Sequence, residues 1–224
     1  MAVTAQDADA DSNERTPIVE LKASDAEVPL GGRLELAEDP DGKWTIEALV
    51  ANPSLAQFKP SESDAPYLGF TRATWWFRIT LRSEADQPMK RLIEFGFPLL
   101  DDVTLYAVRG EAVQALGTSG FLVPFGMRPI SHRNSIFPVT LGAKETTVIY
   151  GRVRSQTQIS LPVTLWSEAA WRDKDQLELL ALGLFFGVLL VMCIYNLILF
   201  FSLREVSYLA LAVPRAQPLL SGFI

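Results

Sequence analysis

Cysteine and histidine are almost absent from this 224-residue sequence, which has one of each. Cys193 lies inside an apolar run, so residues 1–178 carry no thiol. That excludes an internal disulfide and a cysteine-based metal site there. A cysteine-free domain is compatible with an oxidising compartment but does not demonstrate one. His132 as the single histidine excludes a His–His metal pair and leaves a Ser/His/Asp set no choice of base. Positive charge is scarce too. Twenty Lys and Arg face 26 Asp and Glu, for a formal net charge of −6, and no basic cluster is present to follow a phosphate backbone. Nucleic acid is therefore not expected as a partner, and no metal or cofactor is expected.

The first residues do not read as a signal peptide. Met1–Arg15 has neither a basic opening nor an apolar core of signal-peptide length, and its polar, acidic composition predicts a disordered segment over residues 1–18. The small residues Ala5, Ala8 and Ala10 resemble the end of a signal sequence. Two readings stand: the natural start lies upstream, or the soluble region stays in the cytoplasm. Arg172 and Lys174 before the apolar run and Arg204 after it leave both orientations open.

What the chain does have is one uninterrupted apolar run, Leu179–Leu203, without a charged residue. At roughly 1.5 Å of rise per residue, a helix of this length exceeds the roughly 30 Å hydrocarbon core of a bilayer. A soluble helix is rarely apolar on every face for so long. The run predicts a transmembrane helix at residues 179–203, preceded by a juxtamembrane linker at 168–178 with Trp166 and Trp171 as interfacial anchors. Within the run, Gly183 and Gly187 form a small-xxx-small pair suited to close helix contact. Asn196 is a polar group at membrane depth, which points to hydrogen bonding with another helix or a second copy of the chain. After Arg204, Pro214 and Pro218 interrupt the remaining residues, so 204–224 reads as a short tail or an aborted second membrane helix. A fragment or a frameshifted reading frame is one expectation from this ending; a natural one-helix protein is the other.

Residues 19–167 are long enough for one domain with its own core. Segments with two-residue alternation or β-branched and aromatic enrichment predict strands at Thr74–Leu81, Arg91–Phe97, Val103–Val108, Ser135–Leu141, Thr147–Arg154 and Leu161–Trp166. Asp101-Asp102, Arg109-Gly110, Gly117 to Gly120 and Gly142-Ala143 supply turns between them. Many short strands at regular spacing make the fold class mainly β, a sandwich or jelly roll followed by one transmembrane α-helix. An early exception is the turn Asp39-Pro40-Asp41-Gly42, after which Thr45 can cap a short helix over Ile46–Val50.

Alternation also assigns faces. Trp75, Phe77, Ile79 and Leu81 share one side of their strand and should enter the core, while Trp76, Arg78 and Thr80 share the other. An aromatic beside an arginine on a non-core face has two uses. It can be a cation–π or stacking pair under a loop. It can instead be a ligand platform, with the ring on a sugar and the guanidinium on hydroxyls or a carboxylate. Arg128, His132, Arg133 and Asn134 fall in a loop before a strand, where polar groups contact ligands or are simply solvated. Glu94 and the Asp101-Asp102 pair are carboxylates on or near strands, but hydrolytic acid–base work needs a fixed separation around a substrate. The turn reading of Asp101-Asp102 is simpler, and no catalysis is expected.

Together these features resemble a family. Gly32-Arg33-Leu34-Glu35, Asp39-Pro40-Asp41-Gly42, Trp44–Val50, Trp76-Phe77-Arg78-Ile79 and Phe97-Pro98-Leu99-Leu100-Asp101-Asp102-Val103 occur in the order found in bacterial seven-transmembrane receptors with diverse intracellular signalling modules. Leu105-Tyr106, Arg128-Pro129, Arg133, Ile149–Ser155, Phe186-Gly187, Tyr195-Asn196, Arg204 and Ser207-Tyr208-Leu209 continue the match. Residues of about 20–166 are similar to the second type of extracellular sensor domain in that family, and the apolar run to its first membrane helix. The resemblance implies a jelly-roll sensor domain, like a carbohydrate-binding module, on the periplasmic side of a bacterial inner membrane. It implies a small polar ligand such as a sugar; the candidate contacts, from the strand face and loop read above, are Trp76, Arg78, Tyr106, Arg128, His132 and Arg133. Expected partners are that ligand, the lipid bilayer, and other membrane helices or a second copy. No output domain is present in this sequence. A passive membrane-anchored binding or adhesion module is the rival reading.

Overall fold

A computed structural model describes residues 18–203. The expectations for the first 17 residues and for 204–224, including Arg204, Ser207-Tyr208-Leu209 and the two prolines, lie outside the described residues. Two compact units make up the chain, one running to Trp171 and one from Arg172.

The first unit is a two-sheet β structure. In chain order its strands are β1 (Ile18–Leu21), β2 (Glu27–Pro29), β3 (Glu35–Asp39), β4 (Lys59–Pro60), β5 (Tyr67–Phe70), β6 (Thr74–Ser83) and β7 (Met89–Phe95). They continue as β8 (Asp102–Arg109), β9 (Ala112–Ser119), β10 (Ser135–Leu141), β11 (Thr146–Arg154), β12 (Gln158–Ser160) and β13 (Val163–Ser167). One sheet has the order β4-β3-β6-β11-β8-β9, with β1 added in parallel to β6; the other has the order β10-β7-β13-β2. β5 and β12 form a separate two-stranded ladder. From β6 onward the chain changes sheet at nearly every connection, the jelly-roll manner of building a sandwich. The sheets are open, with no closed barrel.

The strand expected at Thr74–Leu81 is the spine of the larger sheet. Phe77, Ile79 and Leu81 point between the sheets and are at most 1% exposed. They meet Ile93 and Phe95 from β7 and Phe137, Val139 and Leu141 from β10. Phe95 packs on Phe77 at 5.8 Å between ring centroids and edge-on to Phe137 at 5.9 Å. Each such buried side chain contributes roughly 1.5–3 kcal/mol.

A second apolar layer covers the outer face of the same sheet. Asp39 accepts hydrogen bonds from the backbone of Lys43 and Trp44, at 3.2 and 2.8 Å, and so closes the Asp39–Gly42 turn. Thr45 then caps α1 (Ile46–Ala51) by accepting from the Ala48 amide at 3.3 Å, as its sequence predicts. Ile46 and Leu49 of this helix, with Ala56, pack down on Ala37, Trp76, Val108 and Tyr150. The outer face of the second sheet has its own small cluster, Leu92, Ile136 and Trp166, joined by Ile130, Ala170 and Trp171.

The last element is α2 (Glu168–Leu203). Residues 168–178, expected as a linker, are helical instead. Their run of Ala, Glu, Lys, Gln and Leu has good helix propensity, and the Ser167 hydroxyl accepts from the Ala170 amide at the helix start. From Leu179 onward α2 is long and apolar enough to cross a membrane, by length and composition.

Candidate functional site

Trp76, Arg78 and Tyr106 do come together, on the outer face of the larger sheet. Trp76 is 1% exposed, and its indole stacks on the Tyr106 ring at 6.3 Å and 20°. Arg78 Nε donates to Glu35 Oε2 at 2.6 Å, directly across the β3–β6 ladder. Its guanidinium carbon lies 4.5 Å from the centroid of Phe58, in the segment after α1. Burial alone would lower the Arg78 pKa; the Glu35 hydrogen bond and charge, with help from Tyr150, outweigh it and raise the value. The cation–π pair under a loop is therefore present, with Phe58 as the ring. The Trp76 indole is enclosed by protein, and the charge of Arg78 is matched by Glu35.

Arg128, His132 and Arg133 lie in the segment between β9 and β10. Arg128 Nε donates to the Val123 carbonyl at 3.1 Å and Nη1 to the His132 carbonyl at 3.0 Å, while the guanidinium stacks over Phe125. These bonds shape the loop. His132 Nδ1 accepts from the Asn134 amide at 3.1 Å, and the ring sits edge-on to Trp171 at 5.4 Å. Arg133 is exposed. Pro129 packs against Gly117, whose φ of 121° and lack of a Cβ let the loop fold back on β9. The same loop exposes Phe121, Leu122, Phe125 and Met127, apolar surface of the sort that meets another body.

The carboxylates are occupied structurally. Glu94 is 2% exposed and accepts from Asn134 Nδ2 at 2.7 Å. Asp101 Oδ2 accepts from the Gln156 amide at 2.7 Å, which ties the β7–β8 connection to the end of β11. Among the described residues no three His, Cys, Asp or Glu side chains are grouped to hold a metal ion.

A cleft that the sequence reading missed opens at the part of the β3 edge beyond its two-residue pairing with β4. Its volume is about 410 Å³, and it is lined by Trp44 and Trp75, the exposed Leu55, and the polar residues Glu38, Gln57 and Lys59. Trp75 points to the expected inner face but lies near the strand end, where it remains half-buried at the margin of the core. Its Nε1 is buried and makes no hydrogen bond within the chain. The available signal was the Asp39–Gly42 turn, which returns Trp44 toward the sheet.

In the apolar part of α2, apart from the helix's own adjacent backbone, no atom of the chain lies within 4 Å of where a Cβ on Gly183 or Gly187 would be. Asn196 Nδ2 donates to the Met192 carbonyl one turn earlier at 2.8 Å.

A jelly-roll domain followed in sequence by a membrane-length helix defines a membrane-tethered β module. The family model described as 7TMR-DISM extracellular 2 matches residues 31–167, and the one described as 7TM diverse intracellular signalling matches residues 178–213. The chain belongs to this receptor family: its β unit is the extracellular sensor domain of a signalling receptor, and it is a membrane protein whose folded domain faces outward. No curated protein matches the chain.

Proposed function

We propose that the β unit senses a small polar ligand, a saccharide in the first instance, on the periplasmic side of a bacterial inner membrane. The observation that supports this most is the adjacency in one chain of a sensor-domain match at 31–167 and a membrane-signalling match at 178–213. Catalysis has no place in this reading. The family is a receptor sensor domain, and Glu94 and Asp101 each hold a neighbouring segment in place. A ligand signals only by binding two states with different affinity.

The test is calorimetry on the full chain in lipid nanodiscs against a panel of mono- and disaccharides. At least one should bind, and binding should alter amide exchange somewhere in residues 18–171. Binding with no change in exchange favours a passive anchor or adhesion module. No binding by any sugar overturns the saccharide reading. Sidedness is read separately: protease added to spheroplasts should cleave the β unit, and protection would overturn the periplasmic placement.

The helix contributes a second part of the proposal. Gly183 and Gly187 would admit a neighbouring helix closely, and Asn196 would lend its side-chain oxygen to that helix. Cysteine cross-linking at Gly183 in membranes should give a specific adduct, with another membrane helix or a second copy, that is lost in Gly187→Leu.

A further inference from the structure

Trp44 and Trp75 are held on rigid supports. Trp75 stands directly opposite Glu38 in the β3–β6 ladder, and Lys59 pairs with Leu36 where β4 joins β3. Trp44 follows a turn closed by two hydrogen bonds to Asp39, itself 1% exposed. Sheet register and turn geometry set the spacing of Trp75, Glu38, Lys59 and Trp44. Such preorganisation reduces the ordering cost of binding.

The polar lining is complementary to hydroxyl groups. Glu38 only accepts hydrogen bonds, Lys59 only donates, and Gln57 does both, whereas a sugar hydroxyl needs partners of both kinds. One negative and one positive side chain leave the cleft with no net charge, which disfavours a phosphate or a polyamine. The half-buried indoles offer faces for the C–H side of a pyranose ring. A volume of about 410 Å³ falls in the lower part of the roughly 300–1,000 Å³ range of small-molecule clefts.

We infer that this cleft, between Trp44 and Trp75 at the β3 edge, is the saccharide site of the domain, and that it holds an uncharged mono- or disaccharide. The inference rests on the ligand-sensor reading above and gives that reading a location at the margin of the layer that covers Trp76 rather than on Trp76 itself.

The experiment uses the full chain in nanodiscs and the sugar from the panel that binds the unaltered protein most tightly. Trp44→Ala should raise its Kd at least about tenfold, as expected for an aromatic anchor. Glu38→Gln and Gln57→Ala should each raise it several-fold, and Lys90→Ala on the other sheet should leave it unchanged. If Trp44→Ala fails to fold, Glu38→Gln and Gln57→Ala, both at exposed side chains, carry the test. A sugar that binds with unchanged Kd in all the cleft variants overturns this site and leaves the sensor reading standing. Absence of any sugar binding overturns both. Binding of an apolar molecule or a peptide in the cleft, with no sugar binding, also overturns the saccharide assignment.

Discussion

Gly151 lies directly across the β11–β6 ladder from Phe77, and a Cβ at position 151 would overlap the Phe77 ring. Phe77 fills the core only because its neighbouring strand has no side chain there. Gly151→Ala should therefore destabilise the domain by about 1–3 kcal/mol through overpacking. A drop of several degrees in the midpoint of thermal unfolding of the full chain in nanodiscs checks this, and an unchanged midpoint would show that the ring moves aside freely.

Glu35 and Arg78 form a partly buried pair with side-chain exposures of 11% and 21%. Glu35→Gln leaves the guanidinium short of its counter-charge and should cost about 1–2 kcal/mol, less than a fully buried pair because solvent still screens it. The raised Arg78 pKa sets the sign of the pH effect. Its contribution is complete at every pH below the ordinary arginine range and is lost only above it. The arginine titration therefore adds no pH dependence between pH 6 and pH 9. By contrast Lys43–Asp41, with side chains 77% and 68% exposed, should contribute little on double substitution.

Asn134 donates to the buried carboxylate of Glu94, and its amide donates to His132. Asn134→Ala should cost about 1.5–3 kcal/mol, the usual worth of a hydrogen bond to a charged group. Faster amide exchange should appear through the loop that carries Arg128 and His132. Exchange unchanged outside residue 134 would mean that the loop is held by its own Arg128 bonds alone.

Deleting residues up to 25 removes β1, with Val19 and Leu21 both fully buried. It also removes the carbonyls of Lys22 and Ala23 that accept from Arg91 Nη2 at 2.8 and 3.2 Å. Burial already lowers the Arg91 pKa. The loss of two buried side chains alone amounts to roughly 3–6 kcal/mol. Such a chain should unfold at markedly lower urea, and a midpoint equal to that of the full chain would show β1 to be dispensable.

Alternation made the strands with one plainly apolar face legible. Ser135–Leu141 matches β10 residue for residue, and the two faces of β6 separate as expected. It could not show whether a second layer covers a face. Trp76 lies on the outer face and is still buried, because Ile46, Leu49 and Phe58 are laid over it by chain more than fifteen residues away. β9 was invisible for the opposite reason. As an edge strand it is mostly exposed, and without a buried side it carries no alternation. The polar opening of α2 read as linker because charge signals solvent exposure, which a helix tolerates as well as a loop does. The β3-edge cleft depends on which strands end up adjacent, a long-range fact with no local signature.

The last strand made, β13, is not at an edge but between β7 and β2 in the smaller sheet. During synthesis the ladder groups of β2 and β7 that face β13 must wait unpaired until Val163–Ser167 emerges. Since α2 begins at the very next residue, Glu168, and turns apolar at Leu179, the sandwich closes only shortly before the apolar segment follows. Folding of the sensor is thus timed to the arrival of the segment that anchors it, and a ribosome paused before residue 163 would display an open, aggregation-prone sheet.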